Sequence, residues 1–212
     1  MIALEDLRRA VNLPNFDFAS AHSRMAPIGR GMSPPEGTSP RQAGVLVLLF
    51  PEGGALNLVL TRRTDTLRGH SGQVSFPGGG RDPGDESFTA TALRETCEEL
   101  GVCDPAIEVI GTLSTMYIPP SNFEVFPTVA YLSARPVFTP NPAEVAEVFT
   151  FPLDWLLDDT YKAEEERTFA GGTVPIPFYA IHGHKVWGAT AVMLSELEGR
   201  LRAVIPPEKI KT

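Results

Sequence analysis

From Ala43 to Phe50 the chain reads AGVLVLLF, an unbroken apolar run of strand length that stops at PEGG. Such a run predicts a strand covered on both faces. ALNLVLTRR follows at once, and the PEGG between the two runs predicts a turn and a hairpin. Ahead of them, MIALEDLRRAV has the spacing of a short amphipathic helix, with acids early and arginines late. Residues from Phe16 to Gln42 are rich in Pro, Gly and Ser and predict a long arm or loop. The apolar pattern breaks from Thr64 to Ser75, and Phe76 to Gly84 reads as loop. A helix should then start at a cap on Asp85 or Ser87 and stop at Gly101. IEVIGTLSTMYIPP and FEVFPTVAYLSA read as strands, the second broken or bulged at Pro127. EVAEVFTFPLDWLLDD starts as a strand and turns into a short helix at Pro152. Tyr179, Ile181, His182 and His184 fall in a short strand or hairpin, and VWGATAVMLSELEGRLRAV is a terminal helix. Strands, one early helix, more strands and a last helix make an α+β pattern, not an alternating one. Residues 1–42 form a helix and arm, and residues 43–212 one domain.

The chain has 212 residues, 42% of them apolar, enough for a real core. Its net charge of −8 argues against a broad nucleic-acid surface. No apolar run reaches membrane-spanning length, and the N-terminus lacks the order of a signal peptide. The two cysteines, Cys97 and Cys103, do not read as a disulfide framework or a zinc site, and a reducing cytoplasm fits them best. The partner expected is a small molecule, with no nucleic acid and no membrane, for a monomer or a homodimer.

The chemistry concentrates in SFPGGGRDPGDESFTATALRETCEELGV, Ser75 to Val102. On a helix, Glu95, Glu98 and Glu99 fall within a sector of about 100°, with Leu93, Cys97 and Leu100 opposite. Stacked carboxylates repel, and a divalent cation removes that cost. Hard oxygen ligands suit Mg2+ or Mn2+, ions that also bind substrate phosphates. A solvated acidic helix face is the competing reading. The glycines fit neither a dinucleotide loop nor a P-loop.

The same stretch resembles the Nudix box, G-x5-E-x7-R-E-U-x-E-E-x-G-U, with Gly80, Glu86, Arg94, Glu95, Glu98, Glu99, Gly101 and Val102 in register. Thr96 departs from an aliphatic position, and one extra residue separates the PGG turn from the box glutamate. The resemblance implies a Nudix-type α/β/α sandwich with a mixed, partly antiparallel sheet, and hydrolysis of a nucleoside diphosphate linked to another moiety. It implies that Glu95 and Glu99 are core metal ligands and that Glu98 binds a further ion or orients water. A backbone carbonyl completes the set, from Gly79 or Gly80, with Gly79 adopted. Arg94 and Glu86 would hold the loop against the helix. The general base would be a box glutamate such as Glu98 or a later residue, Glu144 or Glu147, with Glu144 preferred at a loop–strand junction.

Upstream lies VLTRRTDTLRGHSGQVSFPGG, where Arg63 and Arg68 could clamp anionic oxygens and Gln73 and Ser75 could hydrogen-bond to a ligand. Arg62 could do likewise or face solvent, and His70 is as readily structural. This segment resembles the signature of the coenzyme A pyrophosphatase branch, matched at Thr61, Arg63, Arg68, Gly72, Phe76, Pro77, Gly78 and Gly79. The resemblance implies hydrolysis of coenzyme A, and of acyl-CoA, to 3',5'-ADP and 4'-phosphopantetheine or its acyl form. Alternatives are another nucleoside diphosphate derivative (a nucleotide sugar, a dinucleotide or an oxidised nucleotide) or a binding module of weak catalysis. Met116, Tyr117, Phe123 and Trp187 suit the core better than a pantetheine groove.

Overall fold

A computed structural model describes residues 1–26, 33–64, 72–169 and 172–207. In chain order the elements are α1 (Leu4–Val11), α2 (Phe18–Ser23), β1 (Arg41–Glu52), β2 (Ala55–Arg63), β3 (Val74–Ser75), β4 (Gly78–Gly80) and α3 (Phe88–Leu100). They continue as β5 (Glu108–Thr112), β6 (Met116–Ile118), β7 (Phe123–Tyr131), β8 (Val145–Pro152), β9 (Lys162–Phe169), β10 (Gly172–Ile181), β11 (His184–Trp187) and α4 (Gly188–Val204). Short 3-10 turns at Pro119–Ser121, Leu153–Leu157 and Asp159–Tyr161 join some of them.

The continuous apolar run becomes β1, at the centre of a mixed sheet. Its Leu46, Leu48 and Phe50 enter the core on the α3 face, while Val47 and Leu49 enter the core on the opposite face. That alternation is the period of a strand buried on both sides. Parallel pairing with β7 covers one edge of β1, from Arg41↔Phe123 to Leu49↔Tyr131. Pro127 sits inside this ladder opposite Val45 without breaking it. Along the other edge β1 pairs with β2 near the hairpin and with β4 near its start. β2 pairs with β8 on its far side and with β3 at Thr61 and Arg62. The stretch from Val74 to Gly80 thus fills the wedge where β1 and β2 diverge. The triple glycine, expected as loop, is a short strand because β1 offers it a free edge.

β8 carries one bulge. Arg62 faces Glu147 and Arg63 faces Val145, leaving Ala146 as surplus between them. β9, β10 and β11 form a smaller antiparallel sheet. β9 escaped the sequence reading because KAEEERTF shows charge rather than apolar alternation.

Helix α3 lies on β1 and β7. Gly44 is where they touch, since a Cβ there would overlap the Phe88 carbonyl and crowd the backbone of Ala92. Ser87 caps α3 by accepting from the Ala90 N–H, and Gly101 closes it with φ 69°. The buried face of α3 is Thr91, Ala92, Thr96, Glu99 and Leu100. This corrects the expected division: Glu99 lies inward, and Cys97 is only half-buried. Thr96, at the aliphatic box position, is accommodated because its hydroxyl donates to the Ala92 carbonyl at 2.7 Å. Cys97 and Cys103, not expected as a pair, are joined by a disulfide across the end of this helix. No helix among the described residues is long and apolar enough to cross a membrane.

On the other face α4 is buried along most of its length, from Thr190 to Leu201. Leu194, Leu197 and Leu201 are fully buried there, each contributing about 1.5–3 kcal/mol. The region expected as irregular contains α2, which docks on α4. His22 Nε2 lies 2.7 Å from Glu196 Oε2. Arg200 Nε donates to Glu196 Oε1 at 2.9 Å, and Ser114 donates both its N–H and its hydroxyl. Arg200 also donates to the Val11 carbonyl at 3.1 Å, securing the end of α1. Burial alone raises the Glu196 pKa, but His22, Ser114 and Arg200 outweigh it and leave the carboxyl below its ordinary value.

Removing Glu196 strands two buried partners. E196A should therefore lose about 3–5 kcal/mol in a urea melt, because the desolvated Arg200 keeps its charge without its counter-ion. A loss under about 1 kcal/mol would mean that the network does not secure the N-terminal helices.

Candidate active site

The last two turns of α3 face the β1–β2 wedge, and the acids converge there. Glu99 is 4% exposed. Its Oε2 accepts the Gly78 N–H at 3.0 Å, and its Oε1 lies 3.7 Å from Arg63 Nη1. Burial pushes its pKa up to about 7; the Gly78 N–H and Arg63 pull it down, while Glu144 and Glu95 push it further up. Glu95 is raised for the same leading reason, burial, opposed by Arg94 and reinforced by Glu98 and Glu144. Gly79 lies flush against Glu95, since a Cβ there would overlap the Glu95 carboxylate. The lack of a side chain therefore brings main chain and acid into contact.

Arg94 binds this arrangement together. Its Nε and Nη2 form a fork on Asp85 at 3.0 and 2.9 Å. Nη2 also donates to the Gly80 carbonyl at 3.0 Å, and Nη1 donates to Glu95 at 2.9 Å and to Glu98 at 3.3 Å. Asp85 further accepts from the Asp82 N–H and the Thr91 hydroxyl. Arg94 first, then Asp82 and Thr91, hold its carboxyl well below the usual range, and Asp85 in turn raises Arg94. Arg94 thus ties the Asp85 loop and the Gly80 carbonyl to the acids of α3, the geometry of a positioning residue. Glu86, expected in this loop-holding role, is exposed, and Asp85 takes its place. The signal was present in the spacing: Asp85 lies six residues after Gly79, and the extra residue falls between Asp85 and the helix.

Glu98 is 57% exposed at the rim, steadied by Arg94. Glu144 comes from the turn before β8, close enough to raise both Glu95 and Glu99. Glu147 is committed elsewhere, to Arg62 at 3.5 Å and His184 at 3.3 Å. Arg62 and Arg63 are successive strand residues and so serve opposite faces of the sheet. Of the other expected ligand contacts, Ser75 lies in the β2–β3 ladder, its hydroxyl 3.4 Å from that of Thr61. The Gln73 carbonyl accepts from the Arg63 N–H at 3.0 Å. Arg68 and His70 lie outside the described residues. Met116 and Tyr117 are buried, Phe123 sits under the Arg41 guanidinium, and Trp187 under that of Arg167. Among the described residues, no three acidic, imidazole or thiol groups form a metal cluster on their own.

Two outcomes follow. D85A should lower the thermal midpoint by several degrees, whereas E86A should stay within about one degree. Equal effects would return the loop-holding role to Glu86. In metal-free protein, Glu99 binds a proton in the folded state up to about pH 7 but only to its ordinary 4.5 when unfolded. Its contribution therefore falls as pH rises through that window, by roughly 3 kcal/mol in all. Urea melts at pH 5 and 8 should show this loss in wild type and not in E99Q. Matching pH slopes would mean that the Glu99 carboxyl is not raised.

The NUDIX domain family model matches residues 40–170. An uncharacterized Nudix hydrolase from Pectobacterium atrosepticum is 40% identical over 163 residues, 74% of this chain and 81% of the relative. A mitochondrial coenzyme A diphosphatase from Homo sapiens is 41% identical over 162 residues, 73% of this chain and 66% of that protein. A peroxisomal coenzyme A diphosphatase from Mus musculus is 39% identical over 155 residues, 73% and 64% of the two chains. Among solved structures, a Nudix hydrolase from M. smegmatis superposes with a TM-score of 0.54 at 20% identity, over 84% of this chain and 98% of that one, a likeness of fold. With the box helix, the glycine strand against it and a matched span of more than half its length, the chain belongs to the Nudix hydrolase family.

Proposed function

We propose that this Nudix hydrolase splits the pyrophosphate bond of coenzyme A, and of its acyl thioesters, with Mg2+ or Mn2+. The products are 3',5'-ADP and 4'-phosphopantetheine or its acyl form. The observation that carries the diphosphate part of this reading is Arg63, whose guanidinium lies 3.7 Å from the desolvated Glu99 carboxylate. An acidic site repels a diphosphate, and a cation at that point supplies the missing attraction. The two coenzyme A diphosphatases among the relatives support the choice of substrate.

The donor set suits a hard divalent ion. It comprises the buried Glu99 and half-buried Glu95 carboxylates, both with raised pKa values, and a main chain drawn against Glu95 by Gly79. Mg2+ commonly takes one or two carboxylates and completes its shell with water and substrate phosphate, so a three-acid cluster is not required. Glu95, Glu99 and the Gly79 carbonyl would hold the ion, with Glu98 at the rim for a further ion or a water. When bound, the ion polarises phosphoryl oxygens and lowers the pKa of water. Glu144 accepts the proton of the attacking water, whose oxygen bonds to phosphorus as the bridging P–O bond breaks. Arg63 binds anionic oxygens, and Arg68, Gln73 and Ser75 are the further ligand contacts that the sequence offers. Arg94 keeps the loop on the helix and Glu95 in place.

A panel of coenzyme A, dephospho-coenzyme A, ADP-ribose and a dinucleotide polyphosphate, with either metal and products identified by mass, tests the reading. Coenzyme A should give the highest kcat/KM. Background turnover of coenzyme A beside rapid hydrolysis of another compound would overturn it. Because Arg63 adjoins Glu99, R63A should cost roughly tenfold to a hundredfold in kcat/KM on both coenzyme A and dephospho-coenzyme A. A loss confined to coenzyme A would move Arg63 to the 3'-phosphate. E99Q should lower kcat by orders of magnitude at saturating magnesium.

A further inference from the structure

We propose that Asn141 is a positioning residue that transmits the placement of the box helix to Glu144. The proposal rests on the reading of Glu144 as the base. The Asn141 N–H donates to the Glu99 carbonyl at 2.8 Å, so the turn hangs from the residue that carries the inward acid. The Asn141 carbonyl accepts the N–H groups of Glu144 and Val145 at 3.0 and 2.9 Å. Its side chain repeats the connection. Oδ1 accepts the Ala143 N–H at 3.1 Å, which leaves Nδ2 facing the Glu144 carboxylate at 3.4 Å. The acceptor bond fixes the amide orientation, since only oxygen can face the Ala143 N–H. Thr64 closes the other side, its N–H donating to the Glu144 carbonyl at 3.0 Å and its hydroxyl to the Ala143 carbonyl at 3.2 Å. Glu144 is thereby held between α3 and the end of β2, with its carboxylate oriented by one amide.

N141D separates this role from turn formation. Aspartate keeps the acceptor for Ala143 and every main-chain bond, but it loses the donor and sets a like charge against Glu144. The expected result, with coenzyme A and magnesium, is a thermal midpoint within about two degrees of wild type. In the same variant kcat should fall roughly tenfold with KM within about twofold, since an interaction with a neighbouring base acts on turnover. Wild-type kcat in N141D beside an impaired E144Q would overturn the proposal and spare the base reading. An unimpaired E144Q would remove both. A second measurement needs no substrate: the 1H–15N signals of the Asn141 side-chain amide should shift in E144Q. If they stay unmoved, the contact is absent and the proposal fails, whatever the enzyme hydrolyses.

Discussion

The Glu99 carboxylate is desolvated beneath the open end of the β1–β2 wedge, and much of the site follows from that cost. One peptide N–H and one arginine at 3.7 Å do not offset that burial, and its pKa stays raised, at about 7. A soluble fold would ordinarily turn such a residue outward. Here the helix is fixed by Gly44 and Ala92 on one side and by Leu100 in the core, and rotation to release Glu99 would expose those contacts. The packing of α3 therefore sets the electrostatic problem that the rest of the site answers.

The answer is assembled from chain segments far apart in sequence. Residues 78–80 come in as an edge strand rather than a mobile turn. Arg63 arrives at the last position of β2, and Glu144 from a turn suspended on the carbonyl of Glu99 itself. Arg94 spends its whole fork on the loop and the neighbouring acids, and so opposes the rise that burial imposes on the Glu95 pKa. The N-terminal helices stay out of this chemistry. They belong to the opposite face, joined through Glu196 to α4.

The box helix and its caps were legible because local rules decide them: a serine that can cap, a glycine that can adopt φ 69°, and carboxylates one turn apart. The apolar runs announced β1 and β2 for a similar reason. The glycine strand was not legible, since three glycines carry no strand signal and their pairing depends on an edge that β1 leaves open. β9 was hidden by its charges, and α2 by the Pro and Gly around it. The inward turn of Glu99 is not legible on a helical wheel, where a carboxylate counts toward the outer face. Asp85 in place of Glu86 was decided by a single residue of spacing, and only the loop path shows where the surplus falls.

The bulge at Ala146 settles a question of parity. Phe149 and Phe151 lie on the α4 side of the sheet, and regular alternation would send Val145 there as well. The surplus residue inverts the count, and Val145 enters the core beneath α3 instead. The turn that precedes it consequently leaves the sheet on the side of the box helix, within reach of Glu99. An exposed alanine with no functional group thus determines which face of the sheet receives the carboxylate of Glu144. Chain length at position 146, rather than side-chain identity, is the quantity under constraint there.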